Sequence, residues 1–220
     1  MCGRFLLLTS GKDVAERFDL EGPPELLPRY NIAPTQPVAA VRAGEAGREL
    51  VRLRWGLVAP WAKDTKVAPI NARAETAADK PMFRSALRKR RCLVPASGFY
   101  EWVALAGEKR KQPYCFRPKD ERPWAFAGLW ERWVGSDGLV ESCCILTTGA
   151  NELVRPVHDR MPVILPRQHW AAWLDPTLQE AGELVPLLRP FPSDAIRAYP
   201  VGLAVNNPRN DGPECLAAAV

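Results

Sequence analysis

Short runs of apolar residues, separated by charged residues, prolines and glycines, dominate the hydrophobic pattern of this chain. Residues 49–58 alternate apolar and charged positions, which predicts a strand with one buried face. Runs rich in β-branched or aromatic residues predict further strands at residues 92–94, 98–103, 113–116, 124–130 and 142–147, and a weaker one at 196–205. The pattern therefore indicates a chain built mainly from strands.

Helical periodicity is limited to short segments. Residues 11–20 predict an amphipathic helix with Ser10 as its N-cap. Residues 168–174 predict a second helix, and residues 76–90 predict a third that Pro81 interrupts. Helices are therefore expected to be few and short.

The order of these elements predicts the fold class. Strands and helices do not alternate regularly, so a doubly wound parallel sheet is disfavoured. A length of 220 residues is enough for one large domain that buries a core without disulfides. We predict a single α+β domain over residues 1–220, with a curved, mostly antiparallel, barrel-like β-sheet core flanked by short helices.

Composition narrows the class of protein further. No segment approaches the roughly 20 apolar residues of a membrane-spanning helix, and the apolar run at the N-terminus is too short for a signal peptide. We therefore expect a cytoplasmic monomer with no membrane partner. The six cysteines are scattered and form no Cys-x-x-Cys pair, which argues against structural zinc. We expect no metal and no organic cofactor.

The net charge of +5 permits a polyanionic partner but does not establish one. Basic residues crowd two short segments, 84–91 and 109–111. Each segment is compatible with a solvated face as well as with a binding site.

The second residue carries the most specific chemistry in the sequence. Removal of the initiator Met1 would leave a chain that begins with Cys2. An α-amine has a pKa of about 7.7–8.0, against roughly 10.4 for a lysine side chain, so more of it is nucleophilic near pH 7. It can form a Schiff base with an aldehyde, and the adjacent thiol can then close a thiazolidine ring. A free N-terminal cysteine is therefore suited to capture the open form of an abasic deoxyribose.

Three polar residues are candidates for proton transfer and positioning. Glu101 has aromatic neighbours, and desolvation there would raise its pKa and suit it to carry protons, although strand alternation equally allows it to face solvent. His158 belongs to the residue type best placed to exchange protons near pH 7. Asn71 both donates and accepts hydrogen bonds, which suits it to orient the sugar or the amine.

Arginines and tryptophans supply candidate DNA contacts. Arg4, Arg73 and Arg160 are suited to hold phosphates, because the guanidinium group matches phosphate geometry. Trp55 and Trp61 are suited to stack on bases or sugars, whereas most other tryptophans are expected in the core.

Seven short motifs occur in an order that resembles the SOS response-associated peptidase (SRAP) family. They are Cys2-Gly3-Arg4-Phe5, Tyr30-Asn31-Ile32-Ala33-Pro34, Trp55-Gly56-Leu57, Asn71-Ala72-Arg73-Ala74-Glu75-Thr76, Gly98-Phe99-Tyr100-Glu101-Trp102, His158-Asp159-Arg160-Met161-Pro162 and Asn206-Asn207-Pro208. The resemblance runs from residue 2 to about residue 208.

The resemblance implies a positively charged channel for single-stranded DNA and a covalent thiazolidine link between Cys2 and an abasic site. Such a protein is nucleoid-associated when it is bound to DNA. The resemblance assigns Asn71 to positioning the sugar and the amine, and Glu101 and His158 to proton transfer. The implied DNA contacts are Arg4, Pro34, Trp55, Arg73, Thr147 and Arg160. Among these, Trp55 would pack along the DNA backbone and Pro34 would act as an apolar wedge near a DNA junction.

Other functions stay open at this stage. A cysteine hydrolase acting on peptides or amides would use Cys2, His158 and Glu101 as nucleophile, base and orienting group. A non-covalent reader of single-stranded or modified DNA would use the basic and aromatic groups alone. The Schiff base is also compatible with strand cleavage, and Met1 removal with either a housekeeping aminopeptidase or self-processing.

Overall fold

A computed structural model describes residues 2–107, 110–135 and 138–219, and twelve strands and four α-helices lie in these ranges. The strands are β1 (Arg4–Leu7), β2 (Arg29–Ile32), β3 (Pro37–Ala43), β4 (Arg48–Trp55), β5 (Asn71–Arg73), β6 (Arg91–Ala96), β7 (Gly98–Val103), β8 (Gln112–Pro118), β9 (Trp124–Gly135), β10 (Gly138–Gly149), β11 (Arg160–Pro162) and β12 (Ile196–Pro200). The α-helices are α1 (Gly11–Phe18), α2 (Arg84–Lys89), α3 (Trp170–Leu174) and α4 (Ala181–Leu184).

Five strands close into a ring. β10 pairs with β4, β4 with β3, β3 with β6, β6 with β9, and β9 again with β10. Only the β4–β10 contact in this ring is parallel. Past the ring, the second half of β10 pairs with β5 on one side and β11 on the other. The barrel-like, mostly antiparallel core predicted from the sequence is confirmed.

A second sheet packs against this barrel. Its strand order is β12-β8-β7-β1-β2, and every pairing is antiparallel. The two sheets share one apolar core, where the ring of Phe5 on β1 meets Trp55 on β4 edge-on at 5.1 Å between centroids. The core is therefore built from two sheets, an arrangement that residue alternation alone did not reveal.

Strand β6 is apolar throughout because it lies between two cores. Successive side chains of a strand point to opposite faces. Cys92 and Val94 enter the core shared with the second sheet, while Leu93 enters a second core beneath the helices. Both faces of β6 are buried, so the run has no polar alternation.

The predicted helices are confirmed only in part. Helix α1 begins after Ser10, whose Oγ accepts the Asp13 N–H at 3.2 Å, and ends at Asp19 in the left-handed region. Helix α3 forms within the predicted 168–174 segment. The prediction of a helix over 76–90 is wrong in extent, because only α2 is α-helical there. Pro81, which has no N–H to donate, lies in the turns that precede α2.

Two predicted strands are shorter than expected. Strand β4 ends at Trp55 because Gly56 takes a φ of 135°, which favours glycine, and donates its N–H to Cys143. Strand β12 ends at Pro200, and the next residues form a 3-10 turn at Leu203–Asn206. Within the described ranges, no helix is long and apolar enough to cross a membrane.

Candidate active site

The N-terminal strand carries Cys2 into the core between the two sheets. Strand β1 pairs with β7, and Arg4 lies opposite Tyr100, so the residues before β1 run alongside Glu101. Cys2 is fully buried, and its Sγ lies 4.0 Å from the carbonyl oxygen of Arg4. Burial raises the pKa of the Cys2 thiol, and the nearby Glu101 charge raises it further. The thiol is therefore protonated at neutral pH in this structure.

Glu101 is the buried carboxyl group next to this cysteine. Only 3% of the residue is exposed, which settles the choice left open by strand alternation in favour of the interior. Burial raises the pKa of Glu101 to about 7. A carboxyl group with such a pKa exchanges protons readily at physiological pH.

The turn that precedes β11 brings His158 towards Glu101. The Nδ1 atom of His158 lies 2.9 Å from the backbone nitrogen of Arg160 and 2.9 Å from the Oδ1 atom of Asp159. Burial lowers the pKa of His158, against the opposing effect of the Asp159 carboxylate at 2.9 Å. The Asp159 charge also acts on the pKa of Glu101, which places this turn close to that carboxyl group.

Strand β10 aligns the remaining candidates at one edge of the barrel. Asn71 lies opposite Ile145 and donates from Nδ2 to its carbonyl at 3.4 Å. Two positions further, Thr147 lies opposite Arg73 on one side and Pro162 on the other. Ile145 and Met161 belong to the same buried cluster as Cys2. The strands therefore bring Asn71, Arg73 and Thr147 to one edge of the barrel.

The three arginines predicted to bind phosphates differ in whether other groups of the protein already contact them. Arg4 is partly buried and donates from Nη1 to Asn31 Oδ1 at 2.8 Å and to the Val205 carbonyl at 2.6 Å. Arg160 forms an ion pair with Glu75 at 2.7 Å. Arg73 is exposed and forms no ion pair within the described part of the chain.

A shallow groove opens beside the start of β1. It is lined by Gly3, Arg4, Trp102, Arg110, Lys111 and Asn206. Arg110 and Lys111 come from the basic segment 109–111 noted in the sequence, of which Lys109 lies outside the described residues. These cations give the groove the charge expected of a surface that follows a nucleic-acid backbone.

In the other basic segment, 84–91, the last two residues stabilise the fold. Arg91 is buried and donates to the backbone carbonyls of Leu87, Arg88 and Trp173. Arg90 pairs with the buried Glu131, with Nη2 and Oε1 3.1 Å apart. A run of arginines in the sequence thus includes two that are structural.

Trp55 and Thr147 are both buried in this structure, as Cys2 is. The Trp55 side chain is fully buried, and its Nε1 donates to the carbonyl of Ile70 at 2.9 Å. The last residue of β4 points into the core, and the expectation that Trp55 packs along the DNA backbone stays a prediction. Thr147 is 1% exposed, and a phosphate contact by its side chain stays a prediction as well. The exposed tryptophan is Trp61, at 65%.

Pro34 lies in a tight turn at the barrel edge. The turn is closed by the Gln36 N–H, which donates to Ala33 at 3.4 Å, and by the Thr35 N–H, which donates to Trp55 at 2.8 Å. Thr35 has a φ of 71°, a conformation that non-glycine residues adopt at a cost. Pro34 itself is partly exposed, as a wedge would require.

Asn31 is an organising residue that the sequence reasoning missed. It is fully buried, and its Nδ2 donates to the carbonyls of Val205, Asn207 and Asn210 at 3.2, 3.1 and 2.8 Å. Its Oδ1 accepts from Arg4. Asn31 therefore ties the C-terminal segment to the N-terminal strand. Its place in the Tyr30–Pro34 motif was the available signal, but nothing local indicated these partners.

The chain is similar to proteins of one family over most of its length. The family described as SOS response associated peptidase (SRAP) matches residues 1–208. The "Abasic site processing protein YoaM" of Bacillus subtilis is 42% identical and aligns over 99% of this chain and 98% of its own. The "Abasic site processing protein HMCES" of Mus musculus is 32% identical, over 90% of this chain and 67% of its own.

A solved structure shares the whole fold. An X-ray structure of a protein from Bacteroides thetaiotaomicron superposes with a TM-score of 0.89 and 28% identity, and covers 100% of both chains. Family match, relatives and architecture agree over nearly the full length. This chain belongs to the SOS response-associated peptidase family.

Proposed function

We propose that this protein processes abasic sites in single-stranded DNA by forming a covalent thiazolidine link through Cys2 once Met1 has been removed. The names of its relatives, "abasic site processing protein", support the substrate. The observation that carries the mechanism is the position of Glu101, a buried carboxyl group with a pKa near neutrality beside Cys2. The protein is proposed to act as a cytoplasmic monomer.

The reaction needs no cofactor. The α-amine of Cys2 adds to the aldehyde carbon of the open deoxyribose, and loss of one water gives a Schiff base. The thiol sulfur then bonds to that carbon, while the former imine nitrogen gains the thiol proton. The products are a thiazolidine and one water, with no change of oxidation state.

Glu101 supplies the proton transfers in this scheme. In its neutral form it donates a proton to the departing hydroxyl group, and as a carboxylate it accepts one from the attacking amine. Burial suits it to both roles, because its pKa of about 7 lets both forms coexist at physiological pH. The raised thiol pKa of Cys2 makes such proton transfer necessary, since little free thiolate is present.

His158 and Asn71 complete the site. The His158 ring is held at Nδ1 by its contacts with the Arg160 backbone and the Asp159 carboxylate, and histidine exchanges protons near pH 7. It is proposed to assist proton transfer when the sugar ring opens and when the link reverses. Asn71 is held at the barrel edge by β10 and is proposed to orient the sugar and the amine.

DNA would approach along the basic groove and the edge formed by β5, β10 and β11. Three exposed cations could contact phosphates directly, namely Arg73 and the groove residues Arg110 and Lys111. Arg4 and Arg160 have protein partners, which phosphates would share or replace. Single-stranded DNA fits this arrangement because the aldehyde must reach a buried cysteine, and an abasic sugar inside a duplex is held between stacked flanking base pairs.

The decisive test is a denaturing gel of the protein mixed with a labelled single-stranded oligonucleotide that carries one abasic site. The wild type, with intact mass proving that the chain starts at Cys2, is expected to give a slow, heat-stable band. Cys2→Ala removes the thiol and should abolish that band, whereas Cys215→Ala, which removes a thiol outside the site, should keep it. No band from a chain proven to begin at Cys2 contradicts the proposal.

Cys2→Ser separates the two chemical steps. It retains the α-amine, so borohydride should trap a Schiff base that does not mature to a thiazolidine. A wild type that yields cleaved DNA and no stable link would instead indicate lyase activity. Turnover of small amides or peptides without DNA would favour the cysteine hydrolase.

A further inference from the structure

A second cavity lies apart from the residues assigned to the Cys2 site. It has a volume of about 190 Å³ and opens between α1, the loop that joins β8 to β9, and the segment after β11. We call it the arginine pocket and define it by Arg17, Arg122, Trp124, Arg167, Trp170 and Phe191. None of these residues has a part in the chemistry proposed above.

Aromatic rings form its apolar walls. Trp124 and Phe191 meet edge-on, with centroids 6.0 Å apart. Trp170 is held in place by Phe18, which stacks on it at 4.5 Å, and by its Nε1 hydrogen bond to Leu165 at 2.8 Å. The cavity is smaller than the roughly 300–1,000 Å³ of sites for drug-sized ligands, so it suits a single ring system.

Three guanidinium groups converge at this cavity. The carbon centre of the Arg17 guanidinium lies 5.2 Å from the centroid of the Trp170 ring. All three arginines line the same cavity. Burial lowers the pKa of Arg17, the charges of Arg167 and Arg122 lower it further, and those of Asp120 and Asp19 oppose the shift. Like charges held near one another are destabilising until an anion joins them.

The carboxylates nearby form a direct ion pair with only one of these three cations among the described residues. Arg167 pairs with Asp19 at 2.9 Å, and Asp120 lines the cavity. Arg17 and Arg122 form no ion pair with any described residue, and the buried Nε of Arg17 has no hydrogen-bond partner among them.

The adjoining surface carries both signs of charge, since Arg17 and Arg122 also border a cavity lined by Asp13, Glu16 and Glu121. Glu121 pairs with Arg117 and Arg197. Lys119 adds a further positive charge to the lining of the arginine pocket. That lining therefore holds four cations and one carboxylate, Asp120, beside apolar walls.

We propose that the arginine pocket binds a nucleotide, with the base against the aromatic walls and the phosphate held by Arg17 and Arg122. Guanidinium groups match phosphate geometry, and aromatic side chains stack on bases regardless of sequence. This site is additional to the one at Cys2 and does not depend on covalent chemistry. The nucleotide is either free or the phosphorylated end of a DNA strand, which has the same chemistry.

Titration calorimetry with deoxyadenosine monophosphate tests the site directly. We expect the monophosphate to bind with higher affinity than either inorganic phosphate or deoxyadenosine alone. Arg17→Gln and Arg122→Gln should each weaken it about tenfold, the cost of one charge-assisted contact. Arg88→Gln, on the exposed face of α2, is the matched control and should bind like the wild type. No binding, equal binding of phosphate alone, or unchanged affinity in both pocket variants would overturn the proposal.

Competition identifies the source of the nucleotide. If a short 5′-phosphorylated oligonucleotide displaces the monophosphate and its 5′-hydroxyl counterpart does not, the pocket takes a DNA end. If neither displaces it, the pocket takes a free nucleotide. Arg122→Gln should retain the link to abasic DNA through Cys2, so failure of either proposal can be recognised independently.

Discussion

The guanidinium of Arg160 and the carboxylate of Glu75 form a two-point ion pair, with Nη1 2.7 Å from Oε1 and Nη2 2.8 Å from Oε2. The Arg160 side chain is largely covered, and that of Glu75 is 51% exposed. A predicted phosphate ligand thus already holds a carboxylate in the geometry that a phosphate would use. We propose that Glu75 competes with DNA for this arginine.

Glu75→Gln is expected to strengthen binding of undamaged single-stranded DNA. Removing an exposed carboxylate of this kind is worth up to about 1 kcal/mol, so affinity should rise up to about fivefold at low salt. One additional phosphate contact should also steepen the logarithmic salt dependence by about 0.7. Fluorescence anisotropy at several salt concentrations measures both. Glu183→Gln, an exposed position on α4, is the control, and weaker binding by Glu75→Gln would contradict the competition.

The rate of covalent capture should depend on Glu101 in a pH-dependent way. Glu101→Gln removes the group proposed to carry protons, and loss of general acid–base catalysis should slow the reaction roughly a hundredfold. In the wild type, the neutral carboxyl is lost as the pH rises through about 7, while the α-amine becomes nucleophilic towards pH 8. The wild-type rate should therefore pass through a maximum, whereas the slower variant rate should only rise with pH.

Single-turnover gels between pH 5.5 and 9 give both profiles. Equal rates for the wild type and Glu101→Gln would exclude a proton-transfer role for this residue. If the variant is slower but its capture rate keeps the same pH maximum, the fall in rate at alkaline pH is due to another group.

The same carboxyl group should make stability depend on pH. Its pKa is raised from 4.5 to about 7 in the folded protein, so the folded state binds more protons than the unfolded state between these values. The free energy of unfolding should therefore fall as the pH rises from about 4.5 to 7, by up to about 3 kcal/mol. Glu101→Gln carries no charge to bury and should be more stable than the wild type at pH 8 but not at pH 4.5. Urea unfolding at both pH values tests the sign.

Local pattern predicted those parts of the fold that depend on one strand or one helix. Ser10 was identified as a cap and forms one, and most strand segments were placed correctly. The closure of the barrel depends on pairing between distant strands, such as the parallel contact of Cys143 with Trp55, which no local alternation encodes. The burial of Trp55 follows from that pairing, so a DNA contact inferred from motif and residue type was placed on a core residue.

The candidate site shows the same limit. Cys2, Glu101 and His158 were identified from chemistry and family resemblance, without their environment. Burial of Glu101 is fixed by the neighbouring strands, and the sequence left it undecided. Asn31 escaped notice because its partners lie about 175 residues further along the chain, as its contact with Val205 shows.

Asn31 should prove important for stability. Asn31→Leu keeps a similar volume but removes the acceptor for Arg4 and the donor to three carbonyls. Arg4 keeps its contact with the Val205 carbonyl, but loss of the remaining hydrogen bonds at a buried position should cost about 3 kcal/mol. Chemical denaturation measures this loss. Asn207→Ala, at an exposed position of the same segment, should change stability by less than about 0.5 kcal/mol. An equally small effect at Asn31 would show that water replaces its contacts.

Trp55 and Trp61 should respond in opposite ways to substitution. Trp55→Phe removes the Nε1 hydrogen bond to Ile70 and part of the core contact with Phe5, so it should lower stability by about 1–3 kcal/mol. Affinity of the folded variant for single-stranded DNA should stay unchanged. Trp61→Ala should leave stability nearly intact, because the side chain is exposed, but weaken DNA binding about tenfold if a base stacks on it.

Denaturation and anisotropy on the same two samples separate these cases. If Trp55→Phe weakens DNA binding at full stability, the buried ring must become exposed when DNA binds, and the family-based expectation of a backbone contact would be supported. If Trp61→Ala binds DNA normally, the segment between β4 and β5 lies off the DNA path. The path would then run through the groove beside Arg4 and along the edge of β5, where Arg110, Lys111 and Arg73 are exposed.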